Sequence, residues 1–178
     1  MAKYKIEQLK EENLPEVVRI NHLCQKDSYS DFLSENYFAC LNFENGIRWR
    51  KEYYFQTKEN EGKLYAIFAN DEMIAYLGIS KADSFDSQNA LEINEIFVLK
   101  KYRGKGLSIR LLKRMLADLA GFYSNIIIYN YTESESNSFY KYLEGNIIRR
   151  DIQQPDGTEK AVDIFSWKIT AFQKSKKN

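Results

Sequence analysis

The chain has 178 residues, 44% of them hydrophobic and 29% charged, the proportions of one soluble domain long enough to bury a real core. A formal net charge of +1 gives no wholesale attraction to nucleic acid or an anionic membrane. Two cysteines, neither in a Cys-x-x-Cys pair, and a single histidine exclude a disulfide framework and leave the chain poor in ligands for a structural zinc site.

In chain order, residues 4–9 alternate as a half-buried first strand. Asn13-Leu14-Pro15-Glu16 predicts a helix start, with Asn as cap and Pro just inside, and Val17, Ile20 and Leu23–Cys24 form its apolar stripe. From Tyr29 to Gln56 apolar residues recur by threes and fours, and Asn45-Gly46 is expected to break this stretch into two helices. Residues 64–69 and 73–79 are strands joined by a tight turn at Asn70-Asp71-Glu72, and 83–90 is a polar loop. Residues 91–98 form the next strand. A helix follows from Leu107 to a stop at Gly121, and the continuous apolar run 126–131 predicts a central strand. Ser136 to Leu143 reads as a short helix, and 147–148 with 161–169 as a last hairpin around Pro155-Asp156-Gly157. An antiparallel meander therefore feeds a β–α–β unit, which gives a single α/β domain with a mixed sheet. The whole of 1–178 is one domain, with 173–178 a basic tail. No apolar run nears the roughly 18 residues of a membrane span. The opening residues also lack a signal-peptide core, so a cytoplasmic setting without membrane or nucleic-acid partners is expected.

The segment from Leu91 to Ser108 carries the most chemistry. A strand runs into Arg103-Gly104-Lys105-Gly106 and a helix begins at once, so several free backbone N–H groups point to one spot, a ready phosphate site. A Walker loop needs Ser or Thr after Gly-Lys, but Gly106 follows Lys105; a dinucleotide fingerprint needs a third glycine where Ile109 stands. A kinase loop needs a longer chain and signatures that are missing here.

The pattern Arg103-Gly104-Lys105-Gly106-Leu107-Ser108, preceded by Ile96-Phe97-Val98, resembles motif A of the GNAT acetyltransferase superfamily, Arg/Gln-x-x-Gly-x-Gly/Ala, with Ser108 at the last small position. Phe139-Tyr140-Lys141-Tyr142-Leu143-Glu144-Gly145 is similar to the family's motif B, with Glu133 where that motif opens on Asn. The resemblance implies a GNAT-like sheet, mainly antiparallel, with splayed central parallel strands and flanking helices. It also implies acetyl-coenzyme A as co-substrate, no metal, and direct transfer to a primary amine of a small molecule, polyamine or peptide. Backbone groups of Phe97, Val98 and Leu99 would hold the pantetheine arm, and the N–H groups of Arg103, Gly104, Lys105, Gly106, Leu107 and Ser108 the pyrophosphate. Asn130 or Asn137 would add an amide contact, and Lys113 and Arg114 are candidates for a 3′-phosphate.

Tyr140 is the candidate general acid, since a phenol near pKa 10 suits a departing thiolate. Glu92, eleven residues before Arg103, is the first candidate base and Glu95 the second; a regular strand puts them on opposite faces unless a bulge intervenes. The N–H of Val98 is the candidate donor to the thioester carbonyl. Acceptor walls are expected from the helices at 29–55 and the loop at 83–90, with Tyr29, Phe32, Tyr37, Trp49 and Tyr53 as candidates. His22 and Cys24 are structural. The resemblance also allows a homodimer, and the alternative function is acyl-coenzyme A binding without turnover.

Overall fold

Sequence patterning is realised as a seven-stranded sheet in the computed structural model, which describes residues 3–82, 89–119 and 121–170. The strands are β1 (Tyr4–Gln8), β2 (Lys63–Ala69), β3 (Glu72–Lys81), β4 (Ala90–Val98), β5 (Asn125–Tyr131), β6 (Asn146–Gln153) and β7 (Lys160–Lys168), in the order β1-β2-β3-β4-β5-β7-β6. Every neighbouring pair is antiparallel except β4 and β5. The continuous apolar run of β5 does lie centrally, because both its neighbours pair with it and Ile126, Ile127 and Ile128 are all buried. The helices are α1 (Leu14–Tyr29), α2 (Glu35–Ala39), α3 (Phe43–Lys51), α4 (Leu107–Leu119) and α5 (Asn137–Tyr142). Helix α1 lies against β3 and β4 with α3 packed on it, and α4, the crossover from β4 to β5, packs on β2, β3 and β4 and buries Leu107, Leu111, Leu112, Met115, Leu116 and Leu119. No described helix is long and apolar enough to cross a membrane.

Local chemistry explains where the expectations hold. The β2–β3 turn is a two-residue loop in which Asn70 and Asp71 both have positive φ (50° and 66°), the backbone that matches strand twist and that Asn and Asp tolerate. Three expectations change. Asn45-Gly46 does not break a helix but lies in the first turns of α3, because Asn42 caps that helix, its Oδ1 accepting from Asn45 N–H at 2.8 Å. Gly46 permits close approach of α1, since a Cβ there would meet Val18 Cγ1 at 3.1 Å. The interruption falls instead at residues 40–42. Asn13 does not cap α1: a 3₁₀ turn precedes the helix, and the Asn13 side chain reaches back to the Lys10 N–H at 3.0 Å. Leu23 is exposed, and Val18 takes its place in the buried stripe of α1. Of the polar loop expected at 83–90, residues 83–88 lie outside the described residues and Ala90 already belongs to β4; the basic tail at 173–178 also lies outside them.

Two irregularities of β4 set the geometry on its far side. Gly78 of β3 faces Glu95 and Ile79 faces Ile93, so Asn94 is an extra residue, a β-bulge. Pairing of β4 with β5 runs only from Ala90–Asn125 to Ile93–Ile128, and beyond it the parallel strands part, as the family resemblance implied.

Candidate active site

Past Ile93, β4 has one free edge. The N–H of Leu99 donates to the Ile74 carbonyl of β3 at 3.0 Å, which corrects the expectation that Leu99 has unpaired backbone. Strand alternation turns Phe97 the same way, towards its β3 partner Tyr76, and turns Ile96 and Val98 towards the gap. Ile96 was missed by sequence reasoning, although counting back two from Val98 finds it. The Val98 carbonyl accepts from Arg103 Nε at 2.9 Å, and the Arg103 Nη2 lies 3.6 Å from Asp27 of α1.

The glycine loop is built for close backbone approach. Gly104 and Gly106 have φ of 74° and 69°, left-handed conformations that glycine adopts without the steric penalty of a Cβ, and α4 starts directly after them. The first α4 N–H groups have no intrahelical partner to meet; the ladder begins with Arg110 N–H to the Gly106 carbonyl at 3.1 Å. Leu107 is buried, so only its backbone can face a ligand. The Nζ of Lys105 sits 5.1 Å from the centroid of the Tyr102 ring, and Ser108 faces the cleft. Lys113 and Arg114 stand on the exposed side of α4, with Arg114 engaged by Asp118 at 3.1 Å.

Gap and loop open on one cleft of about 410 Å³. Its walls are Ile96, Phe97 and Val98 from β4, Arg103 and Ser108 from the loop, Asp27, Tyr29 and Phe32 from the end of α1 and the segment after it, and Phe139 and Tyr140 from α5. Tyr140 is almost wholly buried, its ring 5.5 Å from that of Phe165. Burial pushes its phenol above the usual tyrosine range, against a smaller opposing effect from a hydrogen bond with Ser136. The turn that carries it is held by the two asparagines: Asn130 Nδ2 donates to Asn137 Oδ1 at 2.6 Å, and Asn137 Nδ2 to the carbonyls of Tyr131 and Thr132 at 3.0 and 3.1 Å. Both amide nitrogens are thereby engaged inside the turn.

The bulge puts both candidate bases on one face. Glu92 faces Ser80 and Glu95 faces Gly78, two positions apart on β3. Their surroundings differ. Glu95 is buried and receives Arg50 Nη2 at 2.5 Å, Asn21 Nδ2 at 2.9 Å and the Tyr76 hydroxyl. Burial pushes the Tyr76 phenol up, and the adjoining Glu95 carboxylate adds to that. Glu92 is half-buried, and Asn94 Nδ2 donates to its Oε1 at 3.2 Å while also reaching Ser80 Oγ at 3.1 Å. Neither carboxylate is among the cleft walls.

Of the expected acceptor walls, Tyr29 and Phe32 line the cleft, where both rings meet Tyr131 edge-on. Tyr37 instead donates to Gln25 Oε1 at 2.7 Å, and Trp49 stacks on Tyr53 at 5.0 Å. Cys24 is buried and His22 meets Phe43 edge-on; burial raises the thiol and lowers the imidazole, which leaves no activated pair.

Known proteins share this fold. A profile described as the acetyltransferase (GNAT) family matches residues 26–143. Among solved structures, the chain is similar to PaiA N-acetyltransferase from Thermoplasma acidophilum in complex with coenzyme A, at 16% identity over 90% of this chain and 98% of that one, with a TM-score of 0.63. It is also similar to an N-acetyltransferase from Staphylococcus aureus Mu50, at 14% identity over 94% and 99% of the two chains and a TM-score of 0.68. RimL, a ribosomal L7/L12 alpha-N-protein acetyltransferase in complex with coenzyme A, gives 16% identity over 96% and 97% and a TM-score of 0.69. At such identities these likenesses speak for the fold. No curated protein sequence matches the chain.

Proposed function

The chain belongs to the GNAT acetyltransferase family, and from that premise we propose that it transfers the acetyl group of acetyl-coenzyme A directly to a primary amine of a small molecule, polyamine or peptide. One observation carries the reading: the free edge of β4, the left-handed glycine loop and the buried Tyr140 phenol all meet at a single cleft.

The residues present fit the co-substrate. The pantetheine arm lies along Ile96 and Val98 as an added strand, and its pyrophosphate meets the N–H groups of residues 103–108, with Arg103 and Lys105 adding positive charge. Holding thioester and amine together supplies most of the acceleration, since orientation alone is worth effective molarities of about 10⁵ M or more. The amine nitrogen forms a bond to the acetyl carbon as the C–S bond breaks. The carbonyl oxygen is stabilised by a gap-facing N–H of β4, that of Val98. Tyr140 gives its proton to the departing thiolate. The proton lost by the amine goes through water to Glu92, the first candidate; the second, Glu95, is buried in an ion pair with Arg50. The free thiols of Cys24 and Cys40 suit a reducing compartment such as the cytoplasm.

The test is a panel of small amines, polyamines and peptides with acetyl-coenzyme A, read by release of free thiol. Thiol release that depends on one amine class supports the reading and names the acceptor. Thermal stabilisation by acetyl-coenzyme A with no amine-dependent release would favour binding without turnover, and no stabilisation at saturation would sink both.

A further inference from the structure

We propose that Asn21, Gln25 and Tyr37 position the acceptor: they form a hydrogen-bonded chain from the buried Glu95 carboxylate to α2, and so fix the cleft wall that Tyr29 and Phe32 provide. The acceptor meant is the amine of the acetyl-transfer reading, on which this rests.

Every donor in the chain points the same way. The Tyr37 hydroxyl donates to Gln25 Oε1 at 2.7 Å, Gln25 Nε2 to Asn21 Oδ1 at 2.8 Å, and Asn21 Nδ2 to Glu95 Oε2 at 2.9 Å. A head-to-tail chain of this kind strengthens itself in a low dielectric, and its last bond is charge-assisted. Charge is balanced at that end, since Arg50 pairs with the same Glu95 oxygen. Asn21 is buried, and Gln25, four residues on, stands on the same side of α1. None of the three lines the cleft, so they act on the wall and not on the reacting atoms.

Little else fixes α2. Of residues 30–40 only Leu33 is buried. The helix has five residues, buries none of them, and is too short to persist unaided. Its ion pair of Glu35 with Lys26, at 4.0 Å, is exposed and contributes little. Two hydrogen bonds tie it down: the Tyr37 hydroxyl on Gln25, and the Ser34 N–H, which donates to Asp156 Oδ2 between β6 and β7 at 3.0 Å. Ser34 Oγ also caps α2 by accepting from the Tyr37 N–H at 3.3 Å, so both bonds act on one turn. Phe32 lies two residues before that cap. A displaced α2 therefore shifts the wall, while β4 and the glycine loop stay in place.

Gln25→Met preserves side-chain size and removes both of its bonds, and Tyr37→Phe removes the outermost one. With the amine that the panel identifies, each variant is expected to raise the acceptor KM about fivefold or more, while kcat at saturation and the acetyl-coenzyme A Kd stay within about twofold. The double variant is expected to match either single one, because both cut the same chain. Hydrogen exchange on the free protein reads the anchoring without an acceptor. Amides of residues 35–40 are expected to exchange about tenfold faster in Tyr37→Phe, with β4 and α4 unaltered. Unchanged exchange there, an unchanged acceptor KM, or fully additive single variants overturns the proposal. A wild type that turns over no amine sinks the acetyl-transfer reading by itself, and exchange still decides whether the chain holds α2.

Discussion

Two carboxylates three positions apart on β4 differ less in sequence than in what folding does with them. Glu95 lies within 2.5 Å of Arg50, which is 45 residues away in the chain. Nothing local to residue 95 announces that meeting, and so its role was not legible. Removing one partner of such a buried pair strands the other charge, and Glu95→Ala is expected to cost about 3–5 kcal/mol of stability, measured by urea unfolding. Glu92→Gln is expected to lower kcat. The lost rate should recover as pH rises and the amine sheds its proton unaided. An unchanged kcat for Glu92→Gln with a proven acceptor would remove it as the base. Tyr140 was legible from motif B, whereas its burial against Phe165 depends on β7, a distant strand. Tyr140→Phe keeps the ring against Phe165 and loses only the proton, so kcat should fall roughly 10²-fold or more while the acetyl-coenzyme A Kd holds.

Elements were more legible than their irregularities. Strand alternation and the stripe of α4 depend on residues near in sequence, and they appear where the pattern puts them. The bulge at Asn94 depends on how β4 registers against β3, and the helix break at 40–42 depends on the Asn42 cap winning over the turn-forming pair Asn45-Gly46. Both are outcomes of competition between elements, which periodicity alone does not resolve. The glycine loop sits at the opposite extreme, because φ of 69° at Gly106 is a purely local demand. A Cβ at Gly106 meets nothing within 4 Å, so Gly106→Ala is strained by backbone alone. Left-handed backbone costs an L-residue about 1–2 kcal/mol. Relief of that strain moves the N–H groups off their common focus. Isothermal titration should therefore show roughly tenfold weaker acetyl-coenzyme A binding; an unchanged Kd would mean that the loop's backbone does not hold the phosphates.

At the scale of the molecule, four buried phenols, Tyr54, Tyr65, Tyr76 and Tyr140, are all raised above the ordinary tyrosine value, first by burial. An unfolded chain loses those protons near pH 10 while the folded one keeps them, so the stability they contribute is complete below about pH 10 and declines as pH rises beyond it. The cleft sets the complementary expectation for ligand. Its walls come from the α1 segment, β4, the glycine loop and α5, which lie on either side of the parting between β4 and β5. Only four residue pairs join β4 to β5, so a ligand laid along the gap adds contacts where the sheet has fewest. A ligand bound only by the folded state at a hundred times its Kd adds about 2.7 kcal/mol. For a chain of this size each kcal/mol moves Tm by about 2–4 °C, so saturating acetyl-coenzyme A should raise Tm by roughly 5–10 °C. Amide exchange should slow on both sides of the parting, at Ile96–Val98 and in the turn before α5. Protection confined to the glycine loop would show that the phosphates bind while the arm does not enter the gap, and the β4 edge would then lose its part in catalysis.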